Sequence, residues 1–487
     1  MLFSPAPIKF GTDGWRGVIA AEFTFERVAL VAAIAAQVLA KNYGNGREPR
    51  IIVGYDRRFM AEDFAQLVAQ TVREQGFEVL LSTTYAPTPA FSWAAKYENA
   101  LGALVLTASH NPAKYLGLKV KGAFGGSVGP EITEQIEALL DTPVTLADKP
   151  GTIADFDPWP SYVKGLQAMV NVAPIKAAIE QGKLQVFADV MHGAASGGLA
   201  RLLGCEINEL NSDRDPLFGG SSPEPLAKYV PELLNTLKTE SEKESSSIRI
   251  GLIFDGDCDR IAAADGQGKF LSSQGLIPIL IDHLAQRKGQ KGEVVKTVSG
   301  SDLFSRLAEL YHLPVFETAI GYKYIGDRMM TESVLVGGEE SGGIGYGNHI
   351  PERDALLSAL YVLEAIGSSG KDISDLYRSL QDKTHFYSEY DRIDLPLASM
   401  ETRAKLLDSL EKSPLTEIAG QKITDCITKD GYKFRMAGGG WLLIRFSGTE
   451  PVLRLYCEAP NDERVQEVLL WAKNWACLLY TSDAADE

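Results

Sequence analysis

Short apolar, β-branched runs alternate with segments of helical period along most of the chain. The strand-like runs are residues 50–55, 77–82, 101–107, 184–189, 248–255, 293–297 and 333–337. Between them lie helix-like segments, among them residues 25–40, 61–75, 273–287 and 354–366. This alternation is typical of βαβ units and favours mixed, mostly parallel sheets covered by helices. The bulk of the chain is therefore predicted to be α/β.

The pattern changes from about residue 388. Strand-like runs at 389–395, 432–437, 441–446 and 452–458 follow one another and lead to a helix-like segment at 462–476. We expect a separate α+β C-terminal domain. At roughly 100 to 200 residues per domain, the chain as a whole predicts about three or four domains. The last residues, 478–487 (LLYTSDAADE), do not continue the helical pattern and are interpreted as an artefactual tail.

The chain is acidic, with 48 Lys and Arg against 64 Asp and Glu and a net charge of −16. This net negative charge repels nucleic acid and acidic lipid surfaces. An anionic ligand must therefore be bound by Arg and Lys that cluster locally. Five scattered Cys favour a reducing compartment. We expect a cytoplasmic enzyme without a nucleic-acid or membrane partner, whereas the oligomeric state is unknown from sequence.

The segment 107–119 (TASHNPAKYLGLK) follows an apolar strand, which places Ser109 at the carboxyl end of that strand. Ligands of open α/β sheets bind beyond such ends. Ser109 is a candidate phosphoryl acceptor, with His110 beside it and Lys119 in reach to move a proton or to neutralise phosphate charge. The alternative is a serine whose hydroxyl merely caps a turn.

Three carboxylates follow the run 248–254 at alternate positions, Asp255, Asp257 and Asp259, with Arg260 next. Without a cation, three adjacent negative charges would repel one another strongly. The spacing predicts a Mg²⁺ site, and a solvated acidic turn is the alternative.

Three further loops carry groups suited to sugars or phosphates. In 337–343 (GGEESGG), Glu339 and Ser341 suit vicinal hydroxyls. In 445–451 (RFSGTEP), a guanidinium and a turn rich in hydroxyl and N–H groups suit a phosphate; the candidates are Arg445, Ser447, Gly448 and Thr449, with Arg454 nearby. In 11–17 (GTDGWRG), Arg16 lies in a glycine-bracketed loop. The loops at 337–343 and 445–451 also have a plain-turn interpretation.

With these motifs in this order, residues 1–477 resemble the α-D-phosphohexomutase superfamily, the phosphoglucomutase and phosphomannomutase enzymes. The resemblance implies four domains around a central cleft. Their expected bounds are 1–155 for the phosphoserine domain, 156–268 for the metal domain, 269–386 for the sugar domain and 387–477 for the phosphate domain.

The resemblance also implies the site residues and the reaction. Ser109 resembles the phosphoserine and a metal ligand, and the three Asp residues resemble the Mg²⁺ ligands. The expected phosphate, proton and sugar contacts are Arg16, His110, Lys119, Arg260, Lys323, Glu339, Ser341, Arg445, Ser447, Gly448, Thr449 and Arg454. Phospho-Ser109 would give its phosphoryl group to a small-molecule sugar phosphate, and the other phosphate of the hexose bisphosphate would return to Ser109. Glucose 1,6-bisphosphate is the expected activator.

The chain departs from the family pattern at two places. Some relatives have His where Gly343 stands, and His349 is the candidate substitute base. Many relatives have Gly where Cys258 stands. The stretch 321–325 (GYKYI) resembles a specificity loop that leans toward glucose, with a contribution expected from Tyr322 or its neighbours. A phosphomannomutase or a dual-specificity mutase is the alternative.

Three other classes compete with a mutase. A serine acyl hydrolase is suggested by Gly-x-Ser-x-Gly at residues 125–129, but the preceding residues 119–124 look like a weak, charged strand. A metal-dependent serine phosphatase and a non-catalytic sugar-phosphate sensor are the other two.

Overall fold

The computed structural model describes residues 6–447 and 451–481, and its strands form four sheets. These residues make two compact units. One runs to Val295 and includes Gly321–Tyr377, and the other combines Lys296–Ile320 with the described residues from Arg378 onward.

The first sheet has six strands, β1 Trp15–Val18, β2 Arg50–Tyr55, β3 Glu78–Ser82, β4 Gly102–Leu106, β5 Tyr115–Gly122 and β6 Ile153–Phe156. Its order is β1-β5-β4-β2-β3-β6, with β4, β2, β3 and β6 parallel and β5 antiparallel to both neighbours. The helices of this region are α1 Phe25–Tyr43, α2 Ala61–Glu74, α3 Thr88–Tyr97 and α4 Pro130–Ala138. Thr24 caps α1, and nine apolar side chains of α1 are buried.

The second sheet has five strands, β7 Leu184–Asp189, β8 Asn208–Leu210, β9 Ile248–Phe254, β10 Ile261–Ala264 and β11 Phe270–Leu271. Its order is β11-β10-β9-β7-β8, in which β8, β7 and β9 are parallel. Four helices accompany it, α5 Trp159–Met169, α6 Val172–Glu180, α7 Gly198–Leu203 and α8 Pro231–Ser241. The apolar run of β9 is buried, and the acidic residues follow directly after this strand.

The third sheet contains β12 Glu293–Thr297, β13 Val315–Thr318, β14 Val334–Gly338 and β15 Ile344–Gly345, in the order β13-β12-β14-β15. The helices here are α9 Ser273–Asp282, α10 Asp302–Leu310, α11 Tyr322–Thr331, α12 Ala355–Ser369 and α13 Ile373–Thr384. A π-helical turn, His283–Arg287, extends α9. Helix α12 buries apolar side chains on most of its surface and is capped by the Asp354 side chain.

The fourth sheet has the order β16-β21-β20-β19-β18-β17, and all five pairs of neighbouring strands are antiparallel. Its strands are β16 Glu389–Pro396, β17 Glu417–Ile418, β18 Gln421–Ile427, β19 Tyr432–Met436, β20 Trp441–Phe446 and β21 Val452–Ala459, with helices α14 Met400–Lys412 and α15 Asp462–Thr481. This confirms the predicted α+β C-terminal region. None of the helices in the described part of the chain combines the length and apolar character needed to span a membrane.

Four local predictions were wrong. Arg16 lies on β1 rather than in a loop, because the backbone of Trp15–Val18 pairs with β5. Residues 119–122 of the segment predicted as a weak, charged strand belong to β5, a buried strand between two partners. The stretch 321–325 forms the start of α11 rather than a loop. Helix α15 continues to Thr481, past the predicted end of its pattern.

Candidate active site

Ser109 lies three residues beyond β4, as the sequence predicts, and is 1% exposed. Its Oγ donates a hydrogen bond to Oδ2 of Asp255 at 3.0 Å. The hydroxyl thus contacts a group 146 residues away rather than capping its own turn. Its φ of +50° lies in the left-handed region, which few non-glycine residues adopt.

The three predicted metal ligands follow β9, and all are fully buried. One carboxylate oxygen from each of Asp255, Asp257 and Asp259 lies within 4.8 Å of the other two. Burial and the charges of Asp259 and Asp257 raise the pKa of Asp255 well above its ordinary value. Oδ1 of Asp257 and Oδ1 of Asp259 have no hydrogen-bond partner among the described residues. Orphaned buried carboxylate oxygens are the donor set that a hard divalent cation requires, so the residues fit Mg²⁺.

Lys119 lies on β5 and is directed at the same carboxylates. Its Nζ is 2.6 Å from Asp13, 2.8 Å from Asp257 and 2.9 Å from Asp259. Burial opposes the charged form, but the three carboxylates outweigh it and raise the pKa of Lys119. All three protons of the ammonium are directed at carboxylates, so in this arrangement Lys119 supplies positive charge rather than a free base.

His110 contacts Ser109, Arg16 contacts the loop that follows Ser109, and Arg260 follows the three carboxylates. A guanidinium nitrogen of Arg16 donates to the side chain of Asn111, in the loop after Ser109. Nδ1 of His110 is 3.4 Å from the Ser109 hydroxyl. Burial, followed by the charges of Arg260 and Arg16, lowers the pKa of His110 well below its ordinary value, which favours the neutral imidazole. Nε of Arg260 is 3.8 Å from Oδ1 of Asp259.

The predicted sugar loop, residues 337–343, joins the predicted metal loop, residues 255–260, through the backbone. The Ile261 amide donates to the Gly342 carbonyl at 3.0 Å, beside a bridge between Arg260 and Gly343. Glu339 is 5% exposed and accepts a hydrogen bond from the Gly321 amide at 3.0 Å. Burial and the charge of Glu340 raise the pKa of Glu339 to about 7. The structure thus brings Glu339 close to the metal loop, with Ser341 partly exposed on the same turn.

The candidates on α11 are arranged differently from the prediction. The Tyr322 hydroxyl lies against Gly345, where an added Cβ would be 1.8 Å from it, and donates to the Met329 sulfur at 3.8 Å. Because this hydroxyl is buried in the core, it is not placed to read a sugar hydroxyl. Lys323 lies on the first turn of α11 with its ammonium 4.8 Å from the centre of the Tyr324 ring.

The position of Gly343 is filled by a neighbouring side chain. A Cβ added to Gly343 would lie 2.4 Å from Cδ of Arg353. Nε2 of His349 is 2.8 Å from Oδ2 of Asp354, and its ring stacks on Trp93. The assignment of His349 as a substitute base stays a prediction.

Sequence reasoning missed a buried ion-pair network beside Lys119. Arg353 Nη2 donates to Asp13 and to Asp259, at 2.7 Å each. Lys121 Nζ donates to Asp13 at 2.9 Å and to Glu352 at 2.7 Å. The one available signal was the spacing of Lys119 and Lys121, which places both on the same face of a strand.

Ser127 of the Gly-x-Ser-x-Gly stretch belongs to this network. Its Oγ contacts Lys121 at 2.7 Å, Asp13 at 2.9 Å and Glu352 at 3.1 Å. These partners are two carboxylates and an ammonium, so the geometry is not that of a serine activated by histidine.

The predicted phosphate loop lies in the second unit, between β20 and β21. Arg445 and Arg454 are direct cross-strand partners, and Nε of Arg445 donates to Asp430 at 3.0 Å. The Ser447 amide donates to the Val452 carbonyl at 3.0 Å and holds the base of the loop. Gly448 and Thr449 lie outside the described residues.

The chain matches all four domain families of phosphoglucomutase/phosphomannomutase. The alpha/beta/alpha domains I, II and III match residues 7–145, 160–268 and 272–384, and the C-terminal domain matches residues 401–470.

Full-length relatives agree with these matches. The phosphoglucomutase/phosphomannomutase of Thermococcus kodakarensis is 30% identical over 470 residues, which is 94% of this chain and 96% of the relative. The phosphoglucosamine/phosphogalactosamine mutase of Sulfurisphaera tokodaii is 31% identical over 480 residues, with 95% and 97% covered. A crystal structure of a phosphomannomutase-type protein from Thermus thermophilus is 32% identical, with a TM-score of 0.82 over 97% of this chain and 99% of that one. The chain therefore belongs to the phosphoglucomutase/phosphomannomutase family and is a phosphohexomutase, an isomerase that acts by intramolecular phosphoryl transfer.

Proposed function

We propose that this phosphohexomutase interconverts glucose 1-phosphate and glucose 6-phosphate through a phosphoserine at Ser109. The observation that carries the proposal is the 3.0 Å contact between the Ser109 hydroxyl and Asp255, within a buried cluster of three carboxylates and two cations. A buried hydroxyl at the end of a strand, facing a cation site, is suited to hold a phosphoryl group.

The reaction has two transfers and a reorientation. The bond between phosphorus and Ser109 Oγ breaks and a bond between phosphorus and O6 of glucose 1-phosphate forms, while the O6 hydroxyl loses a proton and Ser109 Oγ takes one up. The resulting glucose 1,6-bisphosphate turns within the site. The bond between phosphorus and O1 then breaks and phosphorus bonds to Ser109 Oγ again, while the Ser109 hydroxyl loses its proton and O1 takes one up to leave glucose 6-phosphate. Added glucose 1,6-bisphosphate activates by phosphorylating free Ser109.

Asp255, Asp257 and Asp259 would hold Mg²⁺, with Ser109 or its phosphoryl group as a further ligand. When bound, the ion supplies charge neutralisation at the transferring phosphoryl group. Lys119 orders two of these carboxylates through contacts of 2.8 and 2.9 Å.

The surrounding side chains supply charge and proton contacts. Arg16 and Arg260 provide positive charge beside Ser109, because both lie close enough to affect the pKa of the adjacent His110. His110 is within reach of the Ser109 hydroxyl, at 3.4 Å, to exchange its proton.

Separate loops bind the rest of the substrate. Glu339 and Ser341 bind hydroxyls of the sugar, with Lys323 at the edge of this group. The phosphate that is not being transferred is bound by Arg445, Ser447, Gly448, Thr449 and Arg454. The predicted domain bounds of 1–155, 156–268, 269–386 and 387–477 give each of these tasks to a different domain. The described cysteines are all free thiols, which supports a reducing compartment such as the cytoplasm.

A dual-specificity or mannose-specific mutase is the second candidate, and the Thermococcus relative named for both glucose and mannose phosphates favours it. Several relatives at 27–29% identity are named phosphoglucosamine mutases. The identity of the sugar is thus the most specific part of the proposed function.

Intact mass measurement tests the phosphoserine. The purified enzyme, incubated with glucose 1,6-bisphosphate, should carry one phosphate that is absent from Ser109→Ala, and mutase activity should fall by orders of magnitude in that variant. Ser127→Ala is the matched control, because its hydroxyl lies in the ion-pair network and should not carry the adduct. Full activity of Ser109→Ala would contradict the mechanism, and release of inorganic phosphate in place of isomerised product would indicate a phosphatase.

A further inference from the structure

We propose that Arg58 is a positioning residue that holds the phosphoserine loop in its reactive conformation. The proposal rests on the assignment of Ser109 as the phosphoryl carrier. Arg58 follows β2, the parallel neighbour of β4, so the two strands end side by side. Its side chain is fully buried, with 0% exposure, and nothing in the mechanism described above uses it.

The Arg58 guanidinium binds the backbone of the loop at four points. Nη2 donates to the carbonyls of Ser109 and Asn111, at 2.6 Å each. Nη1 donates to the carbonyls of Pro112 at 3.2 Å and Tyr115 at 3.1 Å. One rigid planar group therefore fixes the whole turn from the nucleophile to the start of β5.

Asp56 and Thr107 complete the hold on Ser109. The Thr107 hydroxyl donates to Oδ2 of Asp56 at 2.5 Å and accepts a hydrogen bond from the Ser109 amide at 2.9 Å. Oδ1 of Asp56 accepts a hydrogen bond from the Arg58 amide at 2.9 Å. Both backbone polar groups of Ser109 are thus engaged by this cluster.

These hydrogen bonds to the backbone matter because Ser109 has a left-handed conformation, with φ at +50°. Such a conformation in a non-glycine residue persists only where its surroundings fix it. Relaxation of the turn would move Oγ away from Asp255, and a displacement of about 1 Å at the reacting atom can cost about 100-fold in rate. Lysine cannot replace arginine here, because its ammonium lacks the planar fork that reaches four carbonyls.

Arg58→Lys tests the proposal, with Arg57→Lys as the matched control. Arg57 is also buried, but its guanidinium donates to the Ser212 carbonyl at 2.7 Å and stacks on Tyr85. We expect Arg58→Lys to keep its phosphate adduct and a KM for glucose 1-phosphate within about threefold of the parent. Its single-turnover rate of phosphoryl transfer should fall about 100-fold, whereas Arg57→Lys should transfer at the parent rate.

Thr107 gives a second test that does not alter a buried charge. Thr107→Val removes the hydroxyl between Asp56 and the Ser109 amide at nearly constant volume, and Thr107→Ser keeps it. Transfer should slow in Thr107→Val and recover in Thr107→Ser. A parent transfer rate in Arg58→Lys, or equal rates in the two Thr107 variants, would overturn the proposal. Absence of a phosphate adduct in the parent enzyme would instead overturn the assignment of Ser109 as the phosphoserine.

Discussion

Cys258 has a left-handed backbone, with φ at +57°, at the centre of the metal loop. Its side chain is fully buried, and burial raises the pKa of its thiol well above the ordinary value. Glycine adopts this backbone without steric cost, whereas a residue with a Cβ pays roughly 1–2 kcal/mol. Glycine would therefore suit this position. In this chain Cys258 adopts the unfavourable left-handed backbone, and its thiol stays protonated beside the three carboxylates.

Removal of the metal should abolish turnover. Dialysis against a chelator is expected to eliminate mutase activity, and Mg²⁺ should restore it, because the buried carboxylates need a cation to offset their repulsion. Asp257→Asn should raise the Mg²⁺ concentration required for half-maximal activity. The exposed Asp148→Asn serves as the control. Activity that persists after exhaustive chelation would exclude the metal site.

Lys433 should make stability depend on pH. Its Nζ donates to the Val298 carbonyl at 2.7 Å and lies 4.1 Å from the centre of the Trp441 ring. Burial, followed by the charge of Lys296, lowers the pKa of Lys433 to about 7 from 10.5. Between these values the unfolded chain binds more protons than the folded chain, so stability rises with pH.

The melting temperature of the protein is expected to increase between about pH 7 and about pH 9 through this amine. Lys433→Met removes the titrating group, so its increase should be smaller than that of the parent. The exposed Lys412→Met should keep the full increase. Identical pH profiles for all three proteins would show that Lys433 is charged in the folded state throughout this range.

At the scale of elements, β20 and β21 place two arginines directly opposite each other, Arg445 and Arg454. Like charges at such positions destabilise a sheet. Asp430 and Asp394 partly offset the cost, through contacts of 3.0 and 3.9 Å. A pair of cations kept on one face at the mouth of a loop is suited to an anionic ligand.

Arg445→Ala should therefore raise KM for glucose 1-phosphate. A charge-assisted bidentate contact contributes roughly 1.5 to 3 kcal/mol, so an increase of about 10- to 150-fold is expected if binding is affected uniformly. The phosphate adduct of Ser109 should be unchanged, because the nucleophile belongs to a different unit. Steady-state kinetics and intact mass together check this, and an unchanged KM would reduce the loop to a plain hairpin.

Glu458 ties α10 to the C-terminal sheet within the second unit. Oε2 accepts hydrogen bonds from Trp441 Nε1 at 2.7 Å and from the Asp302 amide at 2.9 Å. Oε1 accepts from the hydroxyls of Ser301 and Ser388. The carboxylate is buried, with 1% exposure, so water does not reach the site to accept these four hydrogen bonds in its place.

Glu458→Ala should lower the free energy of unfolding by about 1–3 kcal/mol for each of the two N–H groups left unpaired. Glu458→Gln should cost less, because its carbonyl oxygen can still accept from both N–H groups while the two hydroxyls reverse and accept from its amide. Urea denaturation of the full chain measures both values. Equal losses would show that the charge rather than the hydrogen bonding of Glu458 is what the fold requires.

The elements that the sequence predicted best are the apolar strands and the polar residues that follow them. β2, β7, β12 and β20 have the predicted bounds, and Ser109 and Asp255 lie at strand ends because their positions follow from local hydrophobicity. β5 was misjudged because Lys119 and Lys121 made it look exposed. Their burial depends on carboxylates distant in the chain, which no local pattern reveals.

At the scale of the whole chain, the groups that could not be predicted are those that meet only after folding. Asp13 and Arg353 are 340 residues apart and form a 2.7 Å ion pair. Arg58 is 51 residues from Ser109 and holds its carbonyl. Spacing identifies residues that serve as ligands together from one loop, such as the aspartates. It carries no information about a single cation that reaches the site from another strand.

We expect the site to discriminate only weakly between glucose and mannose. Glucose and mannose differ only in the configuration at C2, and one inverted hydroxyl discriminates strongly only when it leaves a buried polar group of the enzyme unpaired. Tyr322 or its neighbours were the candidates for that role, and the Tyr322 hydroxyl is buried against Gly345. No buried polar group is thus assigned to the C2 hydroxyl, so strong discrimination is not expected.

We accordingly expect kcat/KM for glucose 1-phosphate to exceed that for mannose 1-phosphate by only about tenfold, or about 1.4 kcal/mol. A coupled assay with glucose 1,6-bisphosphate as activator measures both values on one preparation. Tyr322→Phe should leave the ratio unchanged, because its hydroxyl faces the core, and thus serves as the control. Equal or higher kcat/KM for mannose 1-phosphate would identify a dual-specificity or mannose-specific mutase. A higher kcat/KM for glucosamine 1-phosphate than for either of these sugars would instead identify a phosphoglucosamine mutase, the activity for which several relatives are named.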